Sequence, residues 1–106
     1  MDTLLVFTTL PDAQSAHELA RQLVELKLAA CVSVQAPCRS VYRWQGALEQ
    51  AEEIPLLIKT TRARYAALQE ALCARHPYEL PEILAVPVEA GLPGYLAWIA
   101  AETSQP

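Results

Sequence analysis

The stretch VYRWQGALEQAEEIPLLIKTTRARY, Val41 to Tyr65, decides how this chain folds. Just before Gly46, Ser40, Tyr42 and Trp44 alternate with Arg39, Val41 and Arg43. An extended strand here would show two aromatics on one face and two arginines on the other. Beyond Gly46 and several polar residues, IPLLIKT is apolar and β-prone, so a hairpin across Gly46 is the simplest connection. Pro55 cannot donate a ladder hydrogen bond, which suggests an edge or bulged position. Thr61 can cap a helix whose buried stripe holds Tyr65, Leu68 and Leu72, and Pro77 stops that helix.

Working outward toward the N-terminus, AACVSV (Ala29 to Val34) has strand composition, and beyond the APC interruption the Ser40–Trp44 segment continues it as one long, bent strand. Asp12 follows Pro11 as a natural helix N-cap. Ala16, Leu19, Ala20, Leu23 and Val24 then recur at helical spacing, opposite Gln14, Glu18, Arg21, Gln22 and Glu25. LLVF, Leu4 to Phe7, is apolar on both faces, as a central buried strand requires. Toward the C-terminus, ILAVPV (Ile83 to Val88) forms another strand, and Pro93 sits just inside a last helix that runs through Trp98 and Ile99.

The order strand, helix, strand, strand, helix, strand, helix predicts an α+β fold. It is a ferredoxin-like split β-α-β sandwich with a four-stranded antiparallel sheet, a long hairpin between the second and third strands and an extra C-terminal helix. Two helices shield one sheet face. The other stays open to water unless the final helix or neighbouring subunits cover it, so oligomerisation is expected.

A chain of 106 residues has the size of one domain, spanning 1–106, and 53% hydrophobic residues with only three glycines indicate a packed core. The formal charge is −4 and the eight basic residues are scattered, which argues against a nucleic-acid partner. The start, Met1-Asp2-Thr3, lacks the positive flank and apolar length of a signal peptide, and no apolar run approaches the ~20 residues that span a bilayer. No membrane partner and a cytoplasmic location are expected. Cys31, Cys38 and Cys73 form no C-x-x-C pair and read as reduced thiols, with Cys31 in LAACVSV as a small buried hydrophobe.

The chemistry concentrates in RHPYELPEI, Arg75 to Ile83. His76 is a candidate metal ligand or proton carrier; equally, a histidine at a helix C-terminus satisfies the last carbonyls. Glu79 and Glu82 are held by stiff backbone around Pro81, which suits a binding site as well as it suits a solvated loop. Glu49, Glu52 and Glu53 read as solvated charge near the hairpin tip, and His17 as plain surface. Lys59, Thr60 and Thr61 open a helix N-terminus, but no glycine-rich phosphate loop accompanies them. No catalytic constellation emerges, and the chain is read as a non-enzyme.

The segments TTLPD, LAACV, VYRWQGALEQAEEIPLLIKTTRARY, HPYELPEI and GLPGYLAWI occur in this order from about Leu4 to Ile99. Together they resemble the divalent cation tolerance protein CutA family. The resemblance implies a homotrimer of ferredoxin-like subunits, similar in architecture to the PII signalling proteins, acting in metal-ion response or, as the alternative, as a signalling module that senses a small molecule. It further implies that the Arg39–Lys59 hairpin reaches a neighbour, and that Tyr42, Trp44, Lys59, Tyr78, Glu79 and Glu82 converge on an intersubunit cleft. Copper binding in the family is attributed to a cysteine before the T-x-P-D segment and to paired histidines before P-Y. Those positions are Thr8, Arg75 and His76 in this chain, so only His76 remains as the implied ligand for copper or another divalent metal.

Overall fold

Alternation of apolar side chains along the first strand sets the centre of the fold. In the computed structural model, which describes residues 3–105, β1 (Thr3–Leu10) buries Leu4, Val6 and Leu10 on one face. Met1, Asp2 and Pro106, part of the single domain expected over 1–106, lie outside the described residues. The chain continues as α1 (Ala13–Glu25), β2 (Cys31–Val34), β3 (Cys38–Trp44), β4 (Ala47–Thr61), α2 (Arg62–Arg75), β5 (Leu84–Pro87) and α3 (Pro93–Glu102).

All strand pairings are antiparallel, and the sheet order is β2-β4-β1-β5 with β3 also paired to β4. This is the split β-α-β arrangement, but with five strands rather than the four expected. The long bent strand breaks at Gln35–Pro37, where Pro37 has no N–H for a ladder, and becomes β2 and β3. The partner strand, conversely, is longer than the apolar run IPLLIKT. It starts at Ala47, because ALEQAEE pairs residue for residue with β3 from Trp44↔Ala47 to Cys38↔Glu53. The turn between them is only Gln45 and Gly46, both at positive φ (51° and 82°), as a tight type I′ hairpin requires. Because this arm runs past the end of β1, the molecule is elongated, 44 × 25 × 23 Å.

Of the edge or bulged position expected for Pro55, the second is found: it lies in β4, opposite Thr9 of β1, and beside it residues 35–37 of the neighbouring strands face only residues 54 and 55. Its carbonyl accepts from Gln35 N–H (3.0 Å), so its nitrogen also faces the gap between β2 and β3, where no strand carbonyl needs a donor. The break in one strand accommodates the proline in the other.

On one sheet face, Leu56 and Ile58 of β4 join Val6 and Leu10 against Leu19 and Leu23 of α1 and Leu68 and Leu72 of α2, all buried. Asp12 caps α1 as expected, its carboxylate accepting from Ser15 N–H at 2.8 Å. The C-terminus of α1 closes with Leu28 N–H bonded to Leu23 O and Lys27 N–H to Val24 O, with Lys27 in the left-handed region (φ 60°). Val24, expected on the buried stripe, lies near the helix end and is exposed. Thr61 occupies the N-cap position of α2 but makes no side-chain cap bond.

The other sheet face is only partly covered. Lys59 alternates with buried Ile58 and so points to this side, where its Nζ donates to Tyr95 Oη of α3 at 3.3 Å. Tyr95 stacks on Trp98, their centroids 5.5 Å apart. Leu84, Val86, Tyr95 and Trp98 stay exposed. No helix among the described residues is long and apolar enough to cross a membrane.

Candidate functional site

The site begins with an unfinished ladder. Because Pro55 directs its carbonyl toward β2, the facing Thr9 directs its own carbonyl toward β5, and β5 has already ended with Leu84 opposite Phe7. A buried carbonyl left there needs a donor. His76, the C-cap of α2, supplies it: its Nε2–H donates to Thr9 O at 2.7 Å. The other ring nitrogen, Nδ1, accepts from Tyr78 N–H at 3.2 Å, so the two bonds specify a neutral imidazole with hydrogen on Nε2. Burial lowers the His76 pKa below the ordinary 6.5, against opposing contributions from the Thr9 bond and Glu53.

The same turn aims Tyr78 at β4. Its ring lies 4.8 Å from that of His76, and its hydroxyl donates to Glu53 Oε2 at 2.9 Å. Thr9 Oγ1 donates to the same oxygen at 3.1 Å. Burial, reinforced by the bond to Glu53, pushes the Tyr78 pKa well above that of an ordinary tyrosine, so the hydroxyl stays a donor. Glu53 is thus no solvated loop charge, the reading its sequence neighbours suggest. It is 7% exposed and ties β4, β1 and the 77–82 segment together. Alternation could not have found it: counted back from Lys59, Leu57 and Pro55, Glu53 falls on the less covered strand face, and its burial comes from Tyr78 and Thr9.

This network floors a cleft of about 720 Å³ between the hairpin arm and residues 77–82. Tyr42 and Trp44, two apart on β3, share one of its walls; Tyr78, Glu79 and Glu82 stand on the opposite side. Of the six residues expected at an intersubunit cleft, five line this space of the single chain. Lys59 does not: it lies farther along β4 and is committed to Tyr95. His76 supports the cleft from behind through Tyr78 and does not line it. Three carboxylates and three aromatic rings border the space, and no basic side chain does among the described residues.

The copper-ligand positions do not assemble. Arg75 donates to Gln22 Oε1 at 3.2 Å on α1, and both His76 nitrogens are occupied. Thr8 points into the core, its Oγ1 buried without a hydrogen-bond partner among the described residues. The residues present do not fit a copper centre of that design, and no group of three or more metal-ligating His, Cys, Asp or Glu side chains occurs among the described residues. Cys31 is half-buried rather than buried, Cys38 and Cys73 are exposed, and all three are free. The orphaned hydroxyl carries a stability cost: Thr8→Val, nearly isosteric, raises the unfolding free energy by about 1 kcal/mol, read as a higher urea midpoint at unchanged slope.

Comparison with known proteins gives this geometry its context. Residues 4–102 match the family described as CutA1 divalent ion tolerance protein. The chain is 42% identical over 100 residues to the divalent-cation tolerance protein CutA of Pectobacterium atrosepticum, covering 94% of this chain and 91% of that one. It is 44% identical over 93 residues to the Protein CutA homolog of Xenopus laevis, which covers 88% of this chain but only 62% of the longer relative. The crystal structure of CutA from Xylella fastidiosa superposes with a TM-score of 0.95 at 49% identity, covering 98% of this chain and 100% of that chain. The chain therefore belongs to the CutA1 divalent ion tolerance protein family.

Proposed function

We propose that this chain is the subunit of a cytoplasmic, non-enzymatic homotrimer that takes part in the response to divalent cations, with the cleft beside the hairpin arm as its ligand site. The observation that carries the reading is that cleft, about 720 Å³ in volume, within the range of small-ligand pockets. Assembly is supported by the partly covered sheet face, where Leu84, Val86, Tyr95 and Trp98 present apolar surface of the kind that subunits bury. A PII-like trimer is the form of assembly proposed.

Any cation in this site meets carboxylates rather than imidazole or thiolate. Glu79 and Glu82 are hard oxygen ligands, suited to Mn²⁺ or Mg²⁺ held weakly, and copper bound through His76 is not part of the reading. A second reading, a signalling or docking module that senses a small organic molecule, is favoured by the aromatic wall of Tyr42 and Trp44.

The test has two steps. Light scattering on the purified protein is expected to give three times the chain mass, and a monomer would sink the assembly. Calorimetric titration of that oligomer with MnCl₂ in a non-chelating buffer is then expected to show weak saturable binding, lost in the Glu79→Gln/Glu82→Gln variant. Binding that persists in the double variant would move the cation elsewhere.

A further inference from the structure

The cleft pairs two features that select the same kind of ligand. Glu53 at its floor and Glu79 and Glu82 at its rim supply negative charge, with no basic side chain lining it among the described residues. Tyr42, Trp44 and Tyr78 supply ring faces, which attract organic cations through their quadrupoles. Glu53 is the more telling of the acids. It is 7% exposed and among the described residues its two hydrogen bonds both come from neutral hydroxyls on one oxygen, Oε2, although a carboxylate offers about four acceptor positions. A bare metal ion would use the carboxylates and leave the aromatic wall idle; an anion would meet like charge on both sides. The space is also several times that of a single ion.

We infer that the cleft binds an aliphatic amine carrying two or more ammonium groups, one end donating to Glu53 beside the Tyr78 ring and the other reaching Glu79 or Glu82 along the wall of Tyr42 and Trp44. The inference rests on the reading of the cleft as a ligand site and names its occupant. It also links that occupant to divalent cations: a metal ion and a diamine draw on the same rim carboxylates, so each displaces the other.

The probe is 1,4-diaminobutane, titrated calorimetrically into the purified oligomer at low ionic strength, beside uncharged 1,4-butanediol and MnCl₂. The diamine is expected to bind saturably and at least ten-fold more tightly than the diol. Tyr42→Leu, and separately Glu79→Gln/Glu82→Gln, are expected to weaken it at least three-fold, while Glu70→Gln on exposed α2 surface leaves it unchanged. MnCl₂ is expected to raise the apparent diamine Kd. Equal binding of the diol, or diamine binding indifferent to Tyr42→Leu, overturns the inference. So does the absence of diamine binding, the outcome if a neighbouring subunit fills the cleft or the site takes only metal. Mn²⁺ binding without diamine binding overturns the inference and leaves the ligand-site reading standing; no binding of either removes both.

Discussion

His76→Ala is expected to lower the unfolding free energy by about 2–3 kcal/mol, because a buried carbonyl and a partly buried N–H lose their bonds at once and an orphaned buried group costs roughly 1–3 kcal/mol. The Thr9 carbonyl has no alternative donor in the sheet, since β5 stops short of it and Pro55 faces the other way. His76→Gln, which keeps an amide donor and an acceptor, should recover part of the loss. Urea denaturation at fixed protomer concentration measures this, and a variant as stable as wild type would contradict the assigned role.

The same residue predicts how stability changes with pH. Its folded pKa lies below the ordinary 6.5, chiefly through burial, so between the two values the unfolded chain holds more protons than the native one. The stabilising contribution is therefore complete above about pH 6.5, the unfolded value, and is lost as pH falls through the folded pKa. Protonating Nδ1 would also set an N–H against the Tyr78 N–H. Melting temperatures compared between pH 7.5 and mildly acid solution should fall more steeply for wild type than for His76→Gln; equal slopes would assign the acid sensitivity to other groups.

Glu53→Ala has the second large effect, about 2–4 kcal/mol, because it strips the shared acceptor from two hydroxyls in a largely buried network. A double-mutant cycle with Tyr78→Phe separates the pair from its surroundings and should return a coupling of about 1–2 kcal/mol. Additive single effects would mean that the 2.9 Å Tyr78–Glu53 bond contributes nothing to the folded state. The same substitution loosens the floor of the cleft, so stability and ligand affinity should fall together.

Much of the frame was legible because its cues are local. Asp12 before an amphipathic run, Pro77 after one, and Gly46 between two β-prone runs each act within a few residues, and each element stands where its cue places it. Positions left open or misread are of a different kind. Pro55 reads as an edge or a bulged residue, and only the break in its neighbour shows which, and where its missing donor is harmless. ALEQAEE looks like a loop because four of its seven residues are polar, yet pairing with β3 supplies the hydrogen bonds that its composition does not suggest.

For the cleft the division is sharper. The residue types that would line it, aromatics two apart on one strand and acids around Pro81, were readable in order, and the identity of the family with them. Which acid is buried was not. Glu53 meets Tyr78 across 25 positions and Thr9 across 44, and His76 reaches Thr9 across 67, distances over which no periodicity carries information. The order of helices and strands and most of the cleft's aromatic and acidic residues were legible in the sequence, because hydrophobic period, caps and turns act over a few residues. That His76 serves a stranded carbonyl, and that Glu53 is a floor rather than a surface charge, came from tertiary contacts alone. Those roles depend on where other strands end, and that is settled by packing.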